Sequence, residues 1–151
     1  MTSLLQLIYG APTRELDEGE ILITQGEQDG NIYVLESGSL DVERDGVRIA
    51  VIDEVDALLG EMSLLLGRPH SATVRAATKA RVRVVDDAML VLERQPMITL
   101  RLATLLCERL DATSELLAHA GAPAVVPGKG EDEGLLGRLR STLLGHGEPK
   151  D

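Results

Sequence analysis

The stretch Gly60-Glu61-Met62-Ser63-Leu64-Leu65-Leu66-Gly67-Arg68-Pro69-His70-Ser71-Ala72-Thr73 packs hydrogen-bonding groups densely at its two ends. A carboxylate, Glu61, opens a short apolar run. An imidazole at His70, hydroxyls at Ser71 and Thr73 and fresh backbone N–H groups close it. The pattern is that of a turn, one short helix, a Gly/Pro turn and re-entry into strand. A helix start and the turn after it both present unpaired N–H groups, which suits an anion. A carboxylate beside an anion makes sense when the ligand also has hydroxyls to donate, and a sugar phosphate carries both. No competing chemistry is legible. Cys107 and the scattered His70, His119 and His146 supply no Ser/His/Asp set and no nucleophile–base pair, so the chain reads as a non-enzyme.

The elements that must position this stretch are mostly strands. Short runs of strand type recur, each bounded by a turn signal: Ile21–Thr24 before Gly26, Asn31–Leu35 between Asp29-Gly30 and Ser37-Gly38, Leu40–Glu43, and Val47–Ile52 after the hairpin signal Asp45-Gly46. After the central stretch, Thr73–Ala76 and Arg81–Val85 alternate, so one face of each looks to water. Short antiparallel strands at this spacing predict a sandwich or rolled barrel. A short entry helix is expected over residues 3–9, with Ser3 as N-cap and Pro12 beyond its end.

The period then changes. Asp86 or Asp87 can cap a short helix over 88–94, which Pro96 interrupts. From Ile98 to Ala120 the pattern is helical. Thr99, Ala103, Leu106, Leu110, Thr113, Leu117 and Ala120 form a heptad seam, and Leu102, Leu105, Ala112 and Leu116 form a second apolar stripe. One stripe can lie on the β-roll while the other faces a second copy, which predicts a homodimer through helix 98–120. The alternative is a helix that buries both stripes on its own domain. Residues 121–133 read as a Pro/Gly linker, and 134–151 as a tail whose 134–144 segment has the pattern of a short amphipathic helix. The expected organisation is one domain over 1–120, with the β-roll at 12–86 and helices at 88–120, followed by linker and tail.

Composition narrows the function further. With no Phe or Trp and two Tyr, the core must be aliphatic. One cysteine excludes an internal disulfide, a four-Cys zinc site and a Cys-ligated iron–sulfur cluster. No run is long and apolar enough to span a membrane and no basic N-terminal leader is present, so a cytoplasmic protein is expected. The net charge of −10 is lopsided. Residues 1–60 carry 13 acidic against 3 basic side chains, whereas 61–120 carry 7 against 8. Nucleic-acid binding needs the opposite sign on the docking face, so direct DNA binding is not expected. An anion would go to the balanced middle section.

Residues 60–73 resemble the phosphate-binding cassette of cyclic nucleotide-binding domains, with its Gly-Glu opening, short helix and Ala-Thr close. Leu16–Leu22, Gly26-Glu27 and Ile32–Gly38 resemble the family's first strands and hairpin glycine. Thr99–Glu115, with its Arg-Leu-x-x-Thr-Ser-Glu letters, is similar to the dimer helix of bacterial catabolite activator proteins. The resemblance covers roughly 12–120 and stops short of those activators' helix-turn-helix. It implies a mainly β fold, an antiparallel β-roll or jelly roll (a double-stranded β-helix), followed by a long C-terminal dimerisation helix. It also implies a regulatory domain with cyclic AMP or cyclic GMP as ligand, no separate cofactor, and a downstream protein that the chain does not name.

Position by position, the resemblance implies ligand contacts at Gly60, Glu61, Met62, His70, Ser71, Ala72 and Thr73. Glu61 would accept the ribose 2′-hydroxyl. Backbone N–H groups near Gly60, Ser71 and Ala72, with the Ser71 hydroxyl, would hold the cyclic phosphate. Arg109 would lie near Glu61 and the phosphate, and Thr113, with Ser114 of the other subunit, would bind the purine. Thr113 is independently notable as a hydroxyl in an apolar seam. It meets either a ligand base or the carbonyl one turn back. His70 stands where the family has an arginine, and an imidazole is mostly neutral near pH 7 where a guanidinium is permanently charged. Losing a charge-assisted bond to a buried anion costs roughly 1.5–3 kcal/mol. Arg109 or Arg68 can compensate, and His70 is either a ligand contact or a turn residue bonded to backbone. Two functions follow: a cyclic nucleotide sensor, or a degenerate domain of that fold used for dimerisation or docking.

Overall fold

The computed structural model describes residues 2–120. Helix α1 (Leu4–Leu7) is followed by strands β1 (Thr13–Leu16), β2 (Ile21–Ile23), β3 (Ile32–Ser37), β4 (Leu40–Arg44), β5 (Val47–Ile52) and β6 (Leu58–Leu59). Then come helix α2 (Glu61–Leu66), strands β7 (Thr73–Ala76) and β8 (Ala80–Val85), and helices α3 (Ala88–Arg94) and α4 (Pro96–His119). The strands form two four-stranded antiparallel sheets, in the orders β1-β8-β3-β6 and β2-β7-β4-β5. Eight antiparallel strands ending in one long helix are the β-roll that the strand spacing predicts. The chain divides into a unit through Cys107 and a second unit from Glu108. The expected linker and the 134–144 helix lie outside the described residues.

Local sequence accounts for most elements. Ser3 caps α1 with a full capping box, its side chain taking the Gln6 N–H while the Gln6 side chain accepts from the Ser3 N–H. The helix is shorter than the 3–9 expectation because its last turn breaks at Ile8. The Asp45-Gly46 pair has positive φ at both positions, 52° and 78°. That is the geometry by which a two-residue turn matches the twist of β4 and β5. Pro96 does not merely interrupt: it begins α4, where its missing N–H costs nothing. Asp87 precedes α3, but its side chain makes no capping bond.

Two aliphatic clusters hold the first unit. One lies between the sheets, around Leu16, Leu22, Ile23, Tyr33, Leu35, Leu40, Leu59 and Val82. The other joins α1, β3, β6 and β8 to α3 and the start of α4, through Leu4, Ile32, Val34, Leu58, Leu92, Ile98 and Leu102. Leu105 and Leu106 pack against this second cluster. Leu102 and Leu105 of one stripe and Leu106 of the heptad seam thus meet the core, Thr99 and Ala103 of the seam are exposed, and beyond Cys107 both stripes are exposed, Ala112 and Leu116 included. In the second unit Leu110 and Leu117 of the seam are 61% and 52% exposed.

Candidate anion cassette

The opening end of the cassette is set by a sheet. Strand β6 pairs with β3 through Tyr33↔Leu59 and Val34↔Leu58, so the chain leaves the sheet at Gly60. Gly60 precedes α2 with φ of 86°. A Cβ there would lie 2.9 Å from the Asn31 carbonyl oxygen, 3.6 Å from the Tyr33 ring and 3.7 Å from the His70 ring. Only a glycine accepts that backbone in that space. The next residue, Glu61, is 3% exposed, and Ser63 is buried as well, its hydroxyl donating to the Arg68 carbonyl. Met62 is half exposed. Gly67 then ends α2 in the left-handed region, its N–H bonded to the Ser63 carbonyl.

The closing end is held by the loop between β2 and β3. The His70 N–H donates to the Glu27 carbonyl at 2.8 Å, and the Gly26 N–H donates to the His70 carbonyl at 2.9 Å. The Gln25 N–H donates to Thr73 Oγ1 at 3.0 Å. The His70 side chain is also tied to this loop: its Nε2 lies 3.2 Å from Asp29 Oδ1. Asp29 Oδ1 takes the Asn31 N–H at 3.0 Å as well, and Asp29 Oδ2 takes the Tyr33 hydroxyl at 2.7 Å. His70 is thus bonded to backbone through its own N–H and carbonyl, and its side chain meets an acidic partner that the cassette motif does not contain.

Electrostatics fix the donors in this network. Burial pushes the Asp29 carboxyl up, but the bonds from the Asn31 N–H, Tyr33 and His70 outweigh it and leave the group below its ordinary value of 3.8. Burial, opposed by a bond from the Asn31 side chain and reinforced by the Asp29 carboxylate, pushes the Tyr33 phenol up to about 12. Asp29 is therefore an anion that only accepts, and Tyr33 a neutral donor. The His70 nitrogen facing Asp29 must then carry its proton, as Nε2–H.

Between these ends the backbone offers donors. Ser71 is exposed and Ala72 and Thr73 are half buried. Among the described residues, neither the Ser71 nor the Ala72 N–H meets a backbone acceptor in a turn or loop. Gly60, Glu61, His70 and the Ser71–Thr73 backbone thus belong to one local assembly. Arg109, Thr113 and Ser114 belong to the second unit, on the exposed length of α4. There the Thr113 hydroxyl donates to the Arg109 carbonyl and the Ser114 hydroxyl to the Leu110 carbonyl, both at 2.9 Å. The one-turn-back bond open at Thr113 from sequence is formed. Arg68 is exposed. Asp29 and Tyr33 escape the sequence reading. Asp29-Gly30 registers there only as a turn, and Tyr33 only as a strand residue.

The chain is similar to known proteins in sequence and in fold. A cAMP-dependent protein kinase regulatory subunit of Yarrowia lipolytica is 35% identical over 63 residues, 42% of this chain and 16% of that protein. The type II regulatory subunit of Drosophila melanogaster is 34% identical over 73 residues, 48% of this chain and 19% of that protein. The matched segments span under a fifth of these curated relatives. Among solved structures, the Thermus thermophilus catabolite activator protein superposes with a TM-score of 0.62 at 25% identity, over 78% of this chain and 58% of its own. A cyclic nucleotide-binding domain from Methylobacillus flagellatus, at 19% identity and TM-score 0.63 over 80% of this chain and 74% of its own, shares the fold. The family model of the cyclic nucleotide-binding domain matches residues 13–91, from β1 to α3 and through the whole cassette. That span is more than half of the chain, and the chain belongs to the cyclic nucleotide-binding domain family.

Proposed function

We propose that this domain is a regulatory module that takes a cyclic nucleotide at the 60–73 cassette, cyclic AMP in preference to cyclic GMP, without performing chemistry on it. The observation that carries this reading is the assembled cassette. A glycine at φ 86° leads into a carboxylate that is 3% exposed. At the other end of the cassette, the Ser71 and Ala72 N–H groups are left without backbone acceptors in turns or loops among the described residues. In this reading Glu61 accepts the ribose hydroxyl, and the backbone around Gly60, Met62, Ser71, Ala72 and Thr73 meets the phosphate. The named relatives that are cAMP-dependent support the choice of ligand class.

Occupancy would pass to α4 as a population shift no larger than the ligand's differential affinity for the two arrangements. The exposed Leu110 and Leu117 support α4 as the homodimer seam. A cytoplasmic setting agrees with this role. One observation favours a second reading, a domain of this fold that binds no nucleotide and serves to dimerise or dock. The His70 side chain is 6% exposed and engaged by Asp29, so position 70 brings the cassette no guanidinium. Calorimetry with cyclic AMP and cyclic GMP separates the two. Heat with cyclic AMP, weaker with cyclic GMP, is expected; no heat at millimolar ligand overturns the sensor. His70→Arg should then tighten cyclic AMP about 10- to 150-fold. Sedimentation of Leu110→Glu tests the seam: the expected product is a monomer, and an unchanged dimer would exclude it.

A further inference from the structure

Beyond the cassette motif, one side chain reaches it from another loop. We infer that Asp29 is a positioning residue of the cassette, holding the His70 ring and, through it, the Ser71–Ala72 backbone in the geometry that presents their N–H groups to an anion. This rests on the anion-binding reading above.

Four bonds tie the β2–β3 loop to residues 70–73. Three of them use backbone or a short hydroxyl: His70 N–H to Glu27, Gly26 N–H to His70, and Gln25 N–H to Thr73 Oγ1. The fourth, Asp29 to His70 Nε2 at 3.2 Å, is the one made by a charged side chain to a buried ring. Asp29 is itself held from two further directions, by the Asn31 N–H and by the Tyr33 hydroxyl. Tyr33 is the β3 residue paired with Leu59, immediately before Gly60. The ring of Tyr33 and the ring of His70 both line the space beside Gly60. The path Tyr33–Asp29–His70 thus connects the two ends of the cassette side by side, from the strand that sets its opening to the residue that starts its close. A guanidinium at position 70 could hold an anion by its own charge. The imidazole N–H found there is anchored by Asp29, and what it anchors is the donor-bearing backbone that follows.

The distinguishing variants are Asp29→Ala, which deletes the anchor, and Asp29→Asn, which keeps an oxygen for His70 Nε2–H and the Asn31 N–H but removes the charge. In the ligand-free protein, the Ser71 and Ala72 amide order parameters should fall from about 0.85 toward about 0.6 in Asp29→Ala and hold in Asp29→Asn. The His70 ring nitrogen shifts should report Nε2–H in the wild type and in Asp29→Asn, and lose it in Asp29→Ala. Cyclic AMP affinity should drop about tenfold in Asp29→Ala and stay within about twofold in Asp29→Asn. Unchanged order parameters in Asp29→Ala overturn the inference. So does tighter cyclic AMP binding in both variants, which would mean that the carboxylate only repels the ligand. If the wild type binds no cyclic AMP while the order parameters and ring shifts respond as stated, the anchor stands and the nucleotide reading falls. Should Asp29→Ala not fold, Asp29→Asn still decides: a lost Nε2–H signal there contradicts the anchor.

Discussion

The two ends of the cassette are built by different physics. At the opening, β6, whose Leu58 and Leu59 are buried, delivers Gly60, which takes a left-handed backbone with no room for a Cβ beside Asn31 and Tyr33. Steric exclusion and apolar burial suffice there. At the close, Ser71 is exposed and the chain is held by hydrogen bonds to a polar loop, with Asp29 and His70 as its side-chain pair. One end tolerates no added atom; the other depends on partners that substitution can remove. A site needing both a fixed floor and an adjustable rim is divided this way.

That contrast can be broken first at the opening. Gly60→Ala forces a Cβ into a positive-φ position 2.9 Å from a carbonyl, and should cost on the order of 1–3 kcal/mol, read by denaturant unfolding. A loss below about 0.5 kcal/mol, as for an ordinary surface substitution, would mean that the opening is not sterically fixed. At the close, Asp29→Ala should cost about 1–2 kcal/mol at pH 7, since it removes one acceptor from three donors, at a carboxylate that is partly exposed. The pH dependence has a definite sign. The folded-state value of Asp29 is depressed, so its ionised form contributes stability above the ordinary 3.8, and that contribution is lost as pH falls through the folded value. The stability gap between wild type and Asp29→Asn should therefore shrink on acidification below about pH 4; a gap that widens there would contradict the depressed carboxyl. The smallest effect is expected from Thr73→Val, which strips the Gln25 N–H of its acceptor, at about 0.5–1.5 kcal/mol.

Much of the frame is legible in the chain because its causes are local. Asp45-Gly46 turns, Ser3 caps, and alternation marks β7 and β8. Strand β1 is not legible, because three of its four residues are exposed and Thr13–Leu16 shows no alternation to detect. Strand β6 is two residues long, too short for any period. Val47–Ile52 reads as a strand, yet its exposure along the length follows from its place at the sheet edge, which no pattern within the segment encodes. The two apolar stripes of α4 look alike by spacing. Packing buries Leu102 and partly buries Leu105 and Leu106, one from each stripe, near the start of α4, and leaves Leu110, Leu116 and Leu117 of both stripes in solvent.

The residues of the cassette, their order and the anion-friendly chemistry they carry are properties of the sequence alone, because a turn, a short helix and a strand entry are specified by neighbours. The partner of His70 is not. Asp29 lies 41 residues away, and it meets the ring only because β3 pairs with β6 in the register that sets Tyr33 beside Gly60. A side chain's type states what it can bond; which of several possible partners it meets is decided by strand register, and that is a property of the folded chain.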